Sequence, residues 1–456
     1  MSYEGENKEL LKSVLEGTFF DDFKNPDREG NLFGTLEIQL TSQCNLKCSY
    51  CYYSNVVGHG KELNKPGVAT WDQLGKNTDI LFNWLKENNY IPKTIDIFSG
   101  DSLIFKQSHD IIRKAVQFYI DIGYKGSVVV PSNMSFIRDP ELVKSIEDII
   151  ALGAEHGVSV PISASIDGKF ADKITRLPVK NVDIDEYYSD EFYDDVFAFC
   201  KRNHAGFHPM ISSENIHVWK DNFVWFQSMF EKYDLAWNNV YLLEVRNEGW
   251  TKETIKQYGE FMSWTLNFTY NMIGNSVLPS NLPKYYVDNF VFSSEDYRGS
   301  SMNLFNNISI IGRGIGCSLQ TTLFVKMSDL TCNSCHRLSY DALNGFKFVV
   351  KDDKIIDIEP LNITFYMATL TFEHKALPYC ENCLIKHLCS GGCPGAQFES
   401  VGDAFTPIPS VCLLQHMKLK TQVEFFKRLG VFNYVVSKLN SELALTMIEV
   451  ERMSNE

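Results

Sequence analysis

Cys44, Cys48 and Cys51 stand in the run CNLKCSYC, just after the strand-like stretch Leu36–Leu40. The C-x3-C-x2-C spacing gathers three thiols on one compact loop. Iron–sulfur cubes used only for electron transfer are normally held by four cysteines. Three thiolates hold three irons of such a cube and leave the fourth open to a substrate or cofactor. A zinc site and three structural thiols are the plainer readings of the same residues.

A second set lies downstream. Cys380, Cys383, Cys389 and Cys393 follow C-x2-C-x5-C-x3-C, with Cys412 beyond them and Cys317, Cys332 and Cys335 before them. Of twelve cysteines, three fall in residues 44–51 and eight between 317 and 412, which suggests two metal-bearing modules. Cys332-x2-Cys335 with Cys380-x2-Cys383 would make a four-thiolate zinc site, but would leave Cys389, Cys393 and Cys412 without a role. Cys200, in the apolar run VFAFC, reads as a buried core thiol.

The rest of the chain bounds the setting. Its 456 residues can bury a large core in two or three domains. The formal net charge of −14 argues against non-specific nucleic-acid binding, which needs clustered Lys and Arg. MSYEGENKELLKS has no apolar signal-peptide segment, and no apolar run approaches a membrane span, so the protein reads as cytoplasmic with no membrane partner. In a reducing compartment, metal ligation is the better default for these cysteines than disulfides.

From 36 to 250, strand-like runs alternate with helix-like stretches. LEIQL precedes the cysteine loop and an amphipathic pattern over Trp71–Glu87. TIDIF precedes Ser108–Ile122, and SVVVP precedes Pro140–His156. VSVPISAS, FHPMIS and NVYLLEV follow. This alternation predicts an α/β fold of parallel β/α units, whose chemistry sits in loops after the strand C-termini. Residues 1–35 form an N-terminal extension and 251–310 a bridging region. Residues 311–415 form the cysteine-rich module, and 416–456 a helical tail.

CNLKCSYC, including Tyr50 before the third cysteine, resembles the signature of radical S-adenosylmethionine (SAM) enzymes. The resemblance implies a partial (β/α)6 TIM-like barrel and a [4Fe–4S] cluster whose open iron chelates SAM. Reductive cleavage of SAM then gives a 5′-deoxyadenosyl radical that abstracts a substrate hydrogen. Ser99-Gly100-Asp101-Ser102 stands where the family usually has Gly-Gly-Glu-Pro. It keeps the glycine and the charge, loses the proline, and would meet the SAM amino group; a plain turn with Asp101 as helix cap is the alternative. Ser132-Asn133 is similar to a Thr-Asn-Gly turn. Ser163–Gly168 with Arg176 is similar to the family's S-l-D-G…R segment. That likeness implies Ser165 and Asp167 at the ribose or methionine, and Arg176 at the SAM carboxylate.

The downstream cysteines resemble the SPASM domain of peptide- and protein-modifying radical SAM enzymes, with Leu330 where that family usually has glycine. The resemblance implies two auxiliary [4Fe–4S] clusters, three in all. Cys317, Cys335 and Cys393 would hold the first, with Cys332 as a fourth ligand or the corner left open. Cys380, Cys383, Cys389 and Cys412 would hold the second. The expected function is maturation of a ribosomally made precursor peptide, installing a thioether, a carbon–carbon cross-link or a related oxidation. Formylglycine formation in a protein, as by anaerobic sulfatase-maturating enzymes, is the alternative; a zinc-stabilised binding protein is the non-enzymatic one. An electron donor such as flavodoxin or ferredoxin is expected. Only 43 residues precede Cys44, so leader recognition would fall to a separate protein or another surface. Residues 183–195 (DIDEYYSDEFYDD), with seven acids and three tyrosines, are one such surface, or else a solvated loop and helix start. Tyr52, Tyr53, His208, Glu244, Arg246 and Glu248 are candidate hydrogen donors or acid/base groups. Glu244 and Arg246 equally suit a structural ion pair.

Overall fold

The computed structural model describes residues 7–11, 34–53, 69–98, 100–235, 240, 242–276, 281–288, 319–371, 377–386, 389, 392–439 and 441–455. It is a mixed α/β fold around a large, mostly parallel sheet. β1 (Thr35–Gln39) lies inside that sheet. The short β2 (Leu46–Cys48) follows it after a brief loop. On one side of β1 come β3 (Thr94–Ile97), β4 (Ser127–Ser132) and β5 (Ile162–Ala164), all parallel. β6 (Arg176–Pro178) leaves this sheet to pair with β2, and β7 (Gly206–Phe207) pairs with β5. β8 (Met210–Ile211) and β9 (Leu243–Glu244) form a separate parallel pair.

The helices between these strands follow from local sequence. α1 (Trp71–Glu87) is capped by Thr70, whose hydroxyl accepts from Gln73 N. α2 (Lys106–Ile122) buries Ile111, Ile112, Ala115, Val116 and Tyr119 on one face and stops at Gly123, which has φ +68°. α3 (Pro140–Glu155) begins with Asp139 as cap and a proline in its first turn. α4 (Asp190–Asn203) is capped by Ser189, and α5 (Trp219–Tyr233) completes the series. The later strands are shorter than the apolar runs that predict them. Pro161 precedes β5 and Pro209 separates β7 from β8, and proline has no N–H for a ladder.

On the other side of β1 lies β10 (Thr322–Lys326), parallel to it, followed by antiparallel β11 (Thr331–Asn333), β12 (Phe346–Lys351) and β13 (Lys354–Pro360). One sheet therefore joins the first strand of the β/α region to the cysteine-rich region. The bridging stretch supplies α6 (Lys252–Ser276), a single long helix packed against the tail. α7 (Ile363–Leu370) and α8 (Pro394–Val401) follow the strands. α9 (Pro409–Arg428) begins before the expected tail and carries Cys412 in its first turn, so the expected boundary at 415 falls inside a helix. Gly430, at φ +69°, ends that run, and α10 (Ser441–Asn455) closes the described chain. Among the described residues no helix is long and apolar enough to cross a membrane.

Candidate functional site

The cysteine loop is fastened by a ladder to a segment more than a hundred residues away. β2 and β6 pair antiparallel, with Cys48 opposite Arg176. Ser49 N donates to Thr175 O at 2.9 Å, and Val179 N to Asn45 O at 2.9 Å. Cys51 N donates to Cys48 O at 3.0 Å and turns the loop on itself. Asn133 Nδ2 lies 3.5 Å from Cys44 Sγ and Leu46 N 3.4 Å from it. Burial, then Asp101, pushes the Cys44 thiol up to about 12. Burial raises Cys48 as well, and the three thiols repel one another's charge. Three sheltered thiols on one loop, with amide donors aimed at sulfur, fit the donor set of an iron–sulfur cube. The raised pKa values of Cys44 and Cys48 mean that metal binding there would release protons.

Gly100 and Asp101 form the wall beside this loop. Gly100 N donates to Thr41 O and Asp101 N to Gln43 O, both at 2.9 Å. A Cβ on Gly100 would lie 2.0 Å from Gln43 O, so only glycine fits. The Asp101 carboxylate accepts from Leu103 N at 3.1 Å, Ser132 Oγ at 3.1 Å and Asn133 N at 2.7 Å. It therefore caps the next turn and also ties β4's end to β3's. Burial lifts it to about 6 against those donors. Ser165 N donates to Ser132 O at 2.7 Å, which adds β5's end to the same wall. Ser99 lies outside the described residues.

The third wall is a buried charge network. Tyr50 Oη donates to Asp167 Oδ2 at 2.6 Å, and Arg176 Nη1 donates to Tyr50 Oη at 2.8 Å. Met210 N donates to Asp167 Oδ1 at 2.8 Å. Arg176 Nε is 3.4 Å from Asp172 Oδ1. Asp172 also accepts from Asp167 N at 2.8 Å and Tyr193 Oη at 2.8 Å. Burial works against ionisation of both carboxyls, and the Arg176 guanidinium works for it. Tyr50, Gly100, Asp101, Ser132, Asn133, Ser165, Asp167 and Arg176 thus converge around the three cysteines. The side chains of Asp101, Asp167 and Arg176, read from sequence as SAM contacts, already bond to the protein's own groups and hold the walls together. Asp172 and Tyr193 were missed; the i,i+4 spacing of Asp172 and Arg176 was the available signal.

The second cysteine set surrounds a partly open concavity lined by Cys380, Cys383, Cys389, Cys393 and Cys412. The Cys412 thiol is pushed up to about 12 by burial and by Cys389, Cys380 and Cys383. Five converging thiols fit a metal cluster better than a packed core. His416, one turn after Cys412, lines the same space, with Nε2 3.7 Å from Cys383 Sγ; sequence reasoning missed it. Arg337 N lies 3.4 Å from Cys335 Sγ, and the Cys393 charge acts on the same arginine. Cys332 stands apart, wholly buried in the apolar core with its thiol 3.6 Å from Leu330 O. Cys200 is buried, as expected. Cys317 lies outside the described residues.

The remaining candidates sort by their partners. Glu244 takes Lys418 Nζ at 3.1 Å and Gln415 Nε2 at 2.9 Å, with Arg246 Nε at 3.9 Å, and forms a buried ion pair. Arg246 also lines the cysteine concavity. The Tyr52 and Tyr53 hydroxyls are buried and have no hydrogen-bond partner among the described residues. Burial pushes His208 down to about 4, and Glu248 is exposed. In the acidic stretch, Asp185, Asp190 and Asp194 pair with Lys173, Lys169 and Lys232, each at 2.6 Å. Tyr188 and Tyr193 are buried there, so two of its three tyrosines face the core.

The sequence matches no family model and no curated protein. Among solved structures, it is similar to native anSMEcpe with bound AdoMet and Cp18Cys peptide: TM-score 0.54, 14% identity, covering 88% of this chain and 99% of that one. The chain shares that protein's fold. Streptococcus suis SuiB bound to S-adenosylmethionine aligns over 89% of this chain and 88% of its own, at 11% identity and TM-score 0.42.

Proposed function

We propose that this chain is a radical SAM enzyme that modifies a peptide or protein, with a partial (β/α)6 barrel and a SPASM domain. The observation that carries the reading is the convergence of the CNLKCSYC loop with Gly100, Asn133 and the Asp167–Arg176 segment at the ends of successive parallel strands. A cluster with bound SAM at this loop supplies a carbon-centred radical. The chain's own residues orient and shelter it. Asn133 positions Cys44, Gly100 lets the loop pack against β3's end, and the Arg176 network fixes Cys48 in register with β6. Such sites act chiefly by orienting the cofactor and excluding water.

The expected substrate is a ribosomally made precursor peptide that gains a thioether, a carbon–carbon cross-link or a related oxidation. Auxiliary clusters at Cys335 and Cys393 and at Cys380, Cys383, Cys389 and Cys412 would carry the second electron away. Flavodoxin or ferredoxin would supply the first, and a separate protein would present the leader. The fold likeness to a structure holding a Cys-containing peptide favours a second reading, oxidation of a protein Cys or Ser to formylglycine.

Turnover with SAM, reductant and Cys- or Ser-containing peptides, read by mass spectrometry, tests and separates these. Cross-linking removes two hydrogens and keeps sulfur; formylglycine formation from cysteine replaces sulfur with oxygen. Deuterium moving from labelled peptide into 5′-deoxyadenosine supports both. Label found only in unreacted peptide contradicts both.

A further inference from the structure

Cys332 lies within β11 and is placed by its strand pairings, whereas Cys335, just past the end of that strand, sits beside Glu37 and His336. Ile38, Val325, Cys332 and Phe346 are register partners across β1, β10, β11 and β12, and partners in a sheet share a face. α1 covers that face: Trp84 packs on Phe348 at 4.8 Å, and Asn77 Nδ2 donates to Met327 O at 2.7 Å. Cys332 is therefore sealed between sheet and helix.

Glu37 precedes Ile38 and so faces the opposite way. Its register partner Asp96, on β3, points with it. His336 N donates to Glu37 Oε2 at 3.0 Å, and His336 Nδ1 lies 2.9 Å from the same oxygen. The His336 ring stacks on Phe98 at 3.8 Å, which fixes its orientation. A Glu37 carboxylate oxygen, a ring nitrogen of His336 and Cys335 Sγ all lie within 4.8 Å of one another. Asp96 Oδ1 is buried beside them and has no hydrogen-bond partner among the described residues. Two carboxylates and a thiol packed together in a buried place carry a large cost unless a cation offsets them. The charges acting on Asp96 are Glu37, unfavourably, and His336, favourably.

We infer that Cys332 is a core thiol, and that Glu37, held by His336, supplies the oxygen ligand at the auxiliary-cluster corner beside Cys335 that a fourth cysteine would otherwise fill. The inference rests on the cluster reading proposed above. Asp96 then accepts a hydrogen bond or shares the positive charge from the second layer, a place where such groups tune a metal's affinity and potential.

The test uses the full chain, reconstituted anaerobically with iron and sulfide, and reads iron content and the electron paramagnetic resonance spectrum of the reduced protein. Wild type should hold about twelve irons per chain, at four per cube. Cys332→Val, which keeps an apolar side chain in the core, should leave iron content and spectrum unchanged. Glu37→Gln should shift or abolish one auxiliary signal and release iron from that cube. Glu37→Cys should restore the iron with a new, all-thiolate signal. Loss of about four irons in Cys332→Val, or an unaltered spectrum in Glu37→Gln, would overturn the inference while leaving the cluster reading intact. Wild type with no more than about four irons would overturn the auxiliary-cluster reading, and this inference with it.

Discussion

Cys48 and Arg176 face each other across the β2–β6 ladder, so the loop that carries the cysteines is in register with the arginine that neutralises Asp167 and Asp172. A charge network and the cysteine loop are thereby one structural unit. Arg176→Ala would leave both carboxylates buried and unpaired. The expected cost is about 3–5 kcal/mol, read as a lower midpoint of denaturant unfolding. Arg176→Lys should recover part of it, because an ammonium keeps the charge but not the planar fork that reaches Asp172 and Tyr50 together. Wild-type stability in Arg176→Ala would show that the network does not hold the loop.

Gly100 sets the spacing between the loop and β3. Gly100→Ala would bring a Cβ to 2.0 Å from Gln43 O, and the backbone must move. The variant should lose iron from the first cluster more than it loses overall helicity. Gly123→Ala serves as the control. Gly123 has φ +68° and open space around its Cβ position, so that change should cost about 1 kcal/mol and leave iron content unchanged.

Glu244 and Lys418 should make the fold acid-sensitive. The Lys418 and Arg246 charges and the Gln415 bond outweigh burial and hold the Glu244 carboxyl near 2, below its usual 4.5. A depressed carboxylate stabilises the fold in full above pH 4.5 and loses that contribution as pH falls toward 2. Unfolding measured across that range should show a fall of up to about 3 kcal/mol in wild type that Glu244→Gln lacks. Lys418→Met should be severely destabilised at neutral pH, where it strands a buried charge.

Leu330 stands where the resembled family usually has glycine, and its φ is +60°, the left-handed conformation that glycine adopts freely. Holding leucine there costs about 1–2 kcal/mol. Its side chain is only 2% exposed, and burying it returns about 1.5–3 kcal/mol. Leu330→Gly should therefore be somewhat destabilised. Leu330→Ala keeps the strain while losing the burial, and should be the less stable of the two by about 1 kcal/mol, the reverse of the usual Ala–Gly order. Thermal unfolding of the pair decides this.

The readable parts of the site were those that spacing defines. The three-cysteine loop, the later cysteine spacing, and helices such as Trp71–Glu87 follow from local pattern. The Leu330 departure was visible, though not that its backbone keeps the glycine conformation. Groups that meet through register were hidden. Glu37 and His336 are 299 residues apart and touch only because β10 docks beside β1. The capping role of Asp101 was legible as an alternative to a cofactor contact, but its bonds to Ser132 and Asn133 were not, because one residue's type does not reveal which groups of another strand surround it. Cys332 resembled a ligand by spacing, and the alternation of β11 turned it inward.

If Cys44, Cys48 and Cys51 hold a cluster that cleaves SAM, the cleavage product must depend on them. The direct measurement is 5′-deoxyadenosine released by anaerobically reconstituted protein given SAM and a low-potential reductant. Wild type should form it, and Cys44→Ala, with its downstream clusters still present, should not. Zinc without iron in the purified protein, or 5′-deoxyadenosine formed equally well by Cys44→Ala, would show that these cysteines do not hold such a cluster.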